Sequence, residues 1–238
     1  MKNNVGVLSR PSMRNTKKPV FLTGLMTMLL IVTFIFTLKI YEPTKHTLIT
    51  GGILVYPFTF LITAYLSKYY GFEETKKNVF TSAILFGIFF LLIMVCLIPS
   101  PSNATENYNA IVQYVFAAEH FTIGSMDIFY PTMGQFCGIL IAFIATHLLY
   151  AAIYKAIHNY TNDYLAVGLA LLISAIVDRV IFVPILLLEN LLDGSNTLEF
   201  LIKCLTSEFI VTILFVMIII IIYVIITKFK DKKKVAQN

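Results

Sequence analysis

Six apolar runs, near 20–40, 48–66, 79–98, 131–153, 164–188 and 203–227, decide what this chain can become. The hydrocarbon core of a bilayer is about 30 Å thick, and about 20 helical residues cross it. Inside lipid every backbone N–H and C=O has to find a partner within its own segment, which favours helices. The runs therefore predict an all-α integral membrane protein, a six-transmembrane-helix bundle occupying residues 19–227. Composition points the same way. Hydrophobic residues make up 58% of the 238, charged residues 13%, and the mean hydropathy is +0.82, far from a water-soluble domain. Short connections leave no room for a separate soluble domain.

The net charge of +5 invites a nucleic-acid reading, but its distribution argues against one. Lys2, Arg10, Arg14, Lys17 and Lys18 precede the first run, in a polar tail spanning 1–18. Lys228, Lys230, Lys232, Lys233 and Lys234 lie in a second tail, 228–238. With both tails on one side, Lys68, Lys76, Lys77 and Lys155 join them there, so 14 of the 18 basic residues share that side. The bias of Lys and Arg towards cytoplasmic loops then makes both termini cytoplasmic. The tails read as topology determinants touching anionic lipid. No nucleic-acid partner is expected.

Cys96, Cys137 and Cys204 lie in or beside apolar runs, without CxxC spacing or clustered His, and read as packing residues. No metal or other cofactor is implied. The first run follows a basic stretch, as in a signal peptide, but only IYEPTKHT follows it, and it reads as a retained helix. The longest outer loop, 99–130, has an N-x-T sequon at Asn103. It continues into IVQYVFAAEHF, which reads as a short interfacial helix.

Polar residues inside the runs carry the functional reading. TNDYLAVGLALLISAIVDRVIFVPILLLEN, residues 161–190, could cross a bilayer, yet it holds Asp178 and Arg179 near its middle. Each such residue costs about 2.5–3.5 kcal/mol at a helix centre on insertion scales, so it faces a bundle interior, a partner or a ligand. In the second run, Gly51 and Gly52 allow close helix approach or an irregular start. Pro57 withholds a backbone hydrogen bond, and Thr59 and Thr63 can satisfy freed groups. That segment reads either as a kinked packing helix or as a broken helix lining a site. The fourth run carries Gln135, the small-residue pair Gly134 and Gly138, and a His147 that reads as a hydrogen-bonded packing residue. The sixth opens with Thr206, Ser207 and Glu208.

At about 1.5 Å per residue from the outer end, Pro57, Asp178 and Arg179 fall roughly 13–15 Å deep, and Gln135 and Glu208 roughly 6–8 Å. Arg179 is long enough to reach Glu208, which leaves Asp178 for a ligand. Asp178, Arg179, Pro57, Thr59, Gln135 and Glu208 are the expected substrate-binding residues, in an outward-facing half-cavity walled by the second, fourth, fifth and sixth spans. The competing reading makes Asp178 and Arg179 structural glue.

GGILVYPFTFLITAYLSKYYG resembles the second-helix signature of the vitamin uptake transporters, also called queuosine precursor transporters. LLISAIVDRVIFVPI is similar to that family's fifth helix, and NAIVQYVFAAEHF fits the segment before the fourth. The resemblance spans most of 48–227 and carries over Pro57, Gly71 and Asp178. It departs from the family pattern at Ala64, Thr146, Leu149 and Ala175. It implies a multi-pass protein of the cell inner membrane that imports 7-deazaguanine precursors of a modified tRNA base. A carboxylate at Asp178 suits such a ring, because it accepts two parallel N–H bonds. Tyr56, Phe58 and Phe60 are candidates to stack on it.

No phosphate-binding loop is present, so a carrier could couple to protons through Asp178 or Glu208. The alternative is the substrate-binding membrane subunit of an ATP-driven vitamin importer, with an ATPase partner. A homo-oligomer and a non-transporting structural protein also fit. An enzyme is not expected, since neither an HExxH motif nor a nucleophile–base pair is evident.

Overall fold

A computed structural model describes residues 17–37, 40–44, 47–97, 119–123, 126–130, 133–186 and 197–235. Five helices among them are long and apolar enough to cross a membrane. They are α1 (Lys17–Thr37), α2 (Pro57–Leu97), α3 (Met133–Ile157), α4 (Asp163–Leu186) and α5 (Thr197–Val235). Two antiparallel hairpins lie in the connections. β1 (Ile40–Thr44) pairs with β2 (Thr47–Thr50), and β3 (Glu119–Ile123) pairs with β4 (Met126–Tyr130). The interfacial helix expected over 111–121 is therefore corrected at its end: 119–121 are extended strand, and 111–118 lie outside the described residues, as do 1–16. The apolar span of the last helix ends at Lys228, and the helix itself continues through the basic stretch as far as Val235.

The long α2 is two arms. Gly71 interrupts it with φ 82° and ψ 178°, backbone that favours glycine over any residue carrying a Cβ. A straight helix would separate residues eight apart by about 12 Å. Yet the Ser67 hydroxyl lies 3.4 Å from that of Thr75, so the arm after Gly71 folds back along the arm before it. Helix restarts directly after Gly71. Of the two readings of the Pro57 segment, the structure has the broken helix. Pro57 does not kink a helix in mid-course but opens α2, the position where its missing N–H has no helical acceptor to lose.

Aromatic contacts fix how the arms pack. Phe34 of α1 meets Phe86 and Phe90 edge-on at 6.0 Å, and Phe90 stacks on Phe136 of α3 at 3.8 Å. Phe60 of the first arm stacks on His147 of α3 at 4.2 Å. Outward residues such as Ile84, Leu91 and Val95 stay exposed, as suits a lipid surround, where association rests on packing and polar contacts. One end of the bundle gathers Gly71, Lys68 and Lys155, whose ammonium lies over the Phe72 ring. The hairpin β1–β2 sits at the opposite end and hands the chain through a 3-10 turn, Gly51–Leu54, into α2. That turn presses on α1. A Cβ at Gly52 would overlap Thr37 Oγ1 and crowd Thr33, so only glycine allows the approach.

Candidate functional site

Asp178 and Arg179 sit two-thirds of the way along α4, and Glu208 lies near the start of the facing α5. The structure brings all three together. Arg179 Nη1 donates to Glu208 Oε2 at 2.5 Å, while Nε, at 3.0 Å, and Nη2 both donate to Asp178 Oδ2. Burial is nearly complete: 1% exposed for Asp178, 4% for Arg179 and 0% for Glu208. The pairing expected between Arg179 and Glu208 is present. The expectation that Asp178 stays open for a ligand is corrected, because the guanidinium spans both carboxylates at once. A charge taken this far from water needs such pairing, since the desolvation penalty is several kcal/mol per ion.

Further groups complete the cluster. The backbone N–H and hydroxyl of Thr50, at the end of β2, donate to Glu208 Oε1 at 2.9 and 2.5 Å. The Tyr56 ring lies 5.6 Å and the Phe182 ring 5.1 Å from the guanidinium carbon, an arrangement that attracts a cation. Thr146 places its hydroxyl 3.4 Å from Asp178 Oδ1 and donates more closely, at 2.7 Å, to Ala142 O. The Tyr56 hydroxyl lies 3.5 Å from that of Thr146. Two carboxylates share one guanidinium, so the fully ionised cluster carries one negative charge in excess.

Empty space flanks the cluster on both sides. One cavity is walled by Thr33, Thr37 and Gly52 on one side and Ile139 and Ala142 on the other. The second lies among Pro57, Phe60, Ala175, Thr212 and Val216. Ile53, Tyr56, Asp178 and Arg179 line both and form the partition between them. Each measures about 10 Å³, room for about one water, so a ligand enters only when the walls part. The expected half-cavity used the second, fourth, fifth and sixth spans; α1 contributes a wall as well.

The other expected residues separate. Pro57 lines the second cavity. Thr59 does not reach the cluster: it donates to Tyr56 O at 2.6 Å and lies 3.0 Å from His147 Nε2. Thr63 stands 2.6 Å from the other ring nitrogen, Nδ1. Both threonine hydroxyls also donate to carbonyls one turn or less away, Thr59 to Tyr56 O and Thr63 to Thr59 O at 3.1 Å. His147 is thus a hydrogen-bonded packing residue, as read from sequence. Gln135 stands apart too. Thr146 is the α3 residue level with Asp178, and Gln135 precedes it by eleven residues, about 16 Å along the axis. Thr50, Tyr56 and Phe182 are the members that a search for charged residues within spans passes over.

A second polar cluster lies at the basic end of α4. Asp163 accepts from Lys68 at 2.8 Å, from the Tyr154 hydroxyl at 2.6 Å and from the Tyr223 hydroxyl at 3.1 Å. It ties α2, α3 and α5 to the start of α4 and borders neither cavity.

Residues 50–226 match the pattern of the putative vitamin uptake transporter family, so the match holds every member of the cluster and most of the chain. No curated protein and no solved structure matches the chain.

Proposed function

The chain belongs to the vitamin uptake transporter family, and we propose that it imports a small heterocyclic metabolite across the cell inner membrane through the cavities around Asp178. The observation that carries this reading is the fully buried Asp178–Arg179–Glu208 cluster with empty space on both sides. Ions in lipid are expensive, and structural glue has no need of adjoining cavities.

The membrane topology in this reading is six crossings with both termini cytoplasmic. Its support is the reversal of α2 at Gly71, which lets one long helix cross twice. Thr23 of α1 bonds Asn78 just beyond Gly71, Lys68 pairs with Asp163, and Tyr223 joins them from α5. These contacts support gathering Lys18, Lys68, Lys76, Lys77, Lys155 and Lys228 at one end, which the reading makes cytoplasmic from the charge bias.

The substrate in this reading is a flat ring with an N–H edge, a 7-deazaguanine for preference. Asp178 supplies a planar acceptor, and Tyr56 and Phe182 flank the guanidinium with aromatic faces. A ring presenting two N–H groups would take over the bonds that Arg179 makes to Asp178, leaving Arg179 on Glu208. The excess negative charge gives protons a place to bind when the site is empty, which is the coupling this arrangement favours. An ATPase partner is the other energy source, and copurification of an ATPase with the tagged protein would identify it.

Thermal unfolding of the detergent-purified protein with 7-deazaguanines, purines, pterins and vitamins tests the reading, alongside Asp178→Asn. A ligand that binds the folded state raises the melting temperature by mass action. The expected result is stabilisation by a deazaguanine, absent in Asp178→Asn. Stabilisation by another class replaces the substrate and keeps the site; no stabilisation by any of them removes the reading.

A further inference from the structure

Buried threonines in helices usually turn their hydroxyl back onto the carbonyl one turn earlier, and this chain follows that habit closely. Thr27 bonds Thr23 O, Thr37 bonds Thr33 O, Thr146 bonds Ala142 O and Thr227 bonds Tyr223 O. Among the described residues, every buried threonine has a hydroxyl partner except two, Thr33 on α1 and Thr212 on α5. They are 3% and 7% exposed, so bulk solvent does not reach them. An unmade hydrogen bond on a buried polar group is costly, and a native structure tolerates one where something else is meant to fill it.

Their positions are not scattered. Thr33 lines the cavity on one side of Arg179, and Thr212 lines the cavity on the other. The two share no element, yet each opens onto one of the two spaces that the cluster divides. Thr212 is also one turn beyond Glu208 on the same helix.

Resting on the transport site above, we infer that Thr33 and Thr212 are specificity-determining residues, whose hydroxyls bond polar atoms on opposite edges of a flat heterocycle seated across Arg179. Displacing the guanidinium from Asp178, with the walls of the two narrow cavities parting, joins them, and the ring then spans both. A hydroxyl both donates and accepts, so each threonine can meet a ring carbonyl or a ring N–H. The ligand class is accordingly a planar ring with an N–H edge for Asp178 and a hydrogen-bonding group towards each end. A ring polar on a single edge leaves one hydroxyl bare.

Thr33→Val and Thr212→Val test this, since valine keeps the shape and removes only the hydroxyl. The probes are guanine and 7-deazaguanine, with analogues of each lacking the exocyclic amine or the ring carbonyl. Each variant is expected to weaken the stabilising parent ring by about tenfold, the worth of one hydrogen bond. Each is also expected to be indifferent to one of the two deletions. Without ligand, both variants should melt at or above the wild-type temperature, because a bare buried hydroxyl has been removed. A ring that stabilises the wild type, fails with Asp178→Asn and binds both valine variants undiminished overturns the inference and spares the site. A fall in melting temperature of either ligand-free variant overturns it too, by showing a structural role. If no ring stabilises the wild type, the site reading falls and takes this inference with it.

Discussion

Helix α4 carries two aspartates, Asp163 at its start and Asp178 fifteen residues on, about 22 Å along the axis. Each gathers a cation and a tyrosine, and the two clusters nonetheless do different things. Asp163 is partnered by groups from three separate elements, its side chain is 19% exposed, and neither cavity reaches it. Asp178 is held by its own neighbour, is sealed from solvent, and stands in a wall between two cavities. A saturated carboxylate at the rim fastens elements together. A carboxylate held by one movable arginine, next to empty space, can exchange that arginine for something else. What separates fastening from binding is thus the supply of alternative partners and of room, not residue type.

The comparison breaks most readily at Arg179. Arg179→Ala leaves Asp178 and Glu208 buried without a counter-charge, and removing one partner of a buried pair costs about 3–5 kcal/mol. Thermal unfolding in detergent should show a larger loss than for Asp178→Asn or Gly52→Ala. A loss below about 1 kcal/mol, the range of exposed pairs, would mean that the inner cluster is solvated like the outer one.

Asp178→Asn comes next. The amide keeps the size and an acceptor for Arg179, so the expected stability loss is about 1–3 kcal/mol, as for a charged hydrogen bond weakened in a buried place. Uptake into vesicles should nonetheless disappear, whereas Asp163→Asn should transport at close to the wild-type rate. Equal damage to uptake from both would erase the distinction between the two ends of α4.

Gly52→Ala tests the scaffold under the inner cluster. The added Cβ has to displace Thr37 Oγ1 and press on Thr33, overpacking that costs about 1–3 kcal/mol. Because Thr50, two residues earlier, donates to Glu208, the strain should also loosen ligand binding. Thr37→Ala in the same chain should recover part of the stability. If the double variant is no better than Gly52→Ala alone, the close approach of the turn to α1 is not the cause.

How much of this was legible in the sequence depends on what each inference used. Apolar runs are read locally and point to membrane helices, while depth and the length of an arginine point to the meeting of Arg179 with Glu208. Depth along a helix is also local, but it is measured from an uncertain end. That is how Gln135 was grouped with a cluster that faces Thr146 instead. Thr50 was out of reach because it acts from the end of a strand through its backbone N–H. Pro57 suggested a kink because the apolar run continues through it. The run includes β2 and a 3-10 turn before the helix begins, and hydropathy does not distinguish these from helix. His147 was read correctly because a lone imidazole beside threonines has a ready bonding arrangement.

The smallest effect separates the clusters by salt. The Lys68–Asp163 pair keeps 18% and 19% of its side chains exposed, so an ion pair there is worth at most about 1 kcal/mol, and Asp163→Asn should lose no more than that. Two tyrosine hydroxyls still find an acceptor in the amide, which limits the damage further. Mobile ions screen partly exposed charges, with a Debye length near 3 Å at 1 M salt. The gap in melting temperature between wild type and Asp163→Asn should therefore shrink as salt rises from about 0.1 M to 1 M. The gap for Asp178→Asn should hold over the same range, because ions do not enter a site whose carboxylate is 1% exposed. A salt-sensitive gap at Asp178 would reveal a water path into the inner cluster, and the carboxylate would then meet its ligand from solvent rather than by exchange with Arg179.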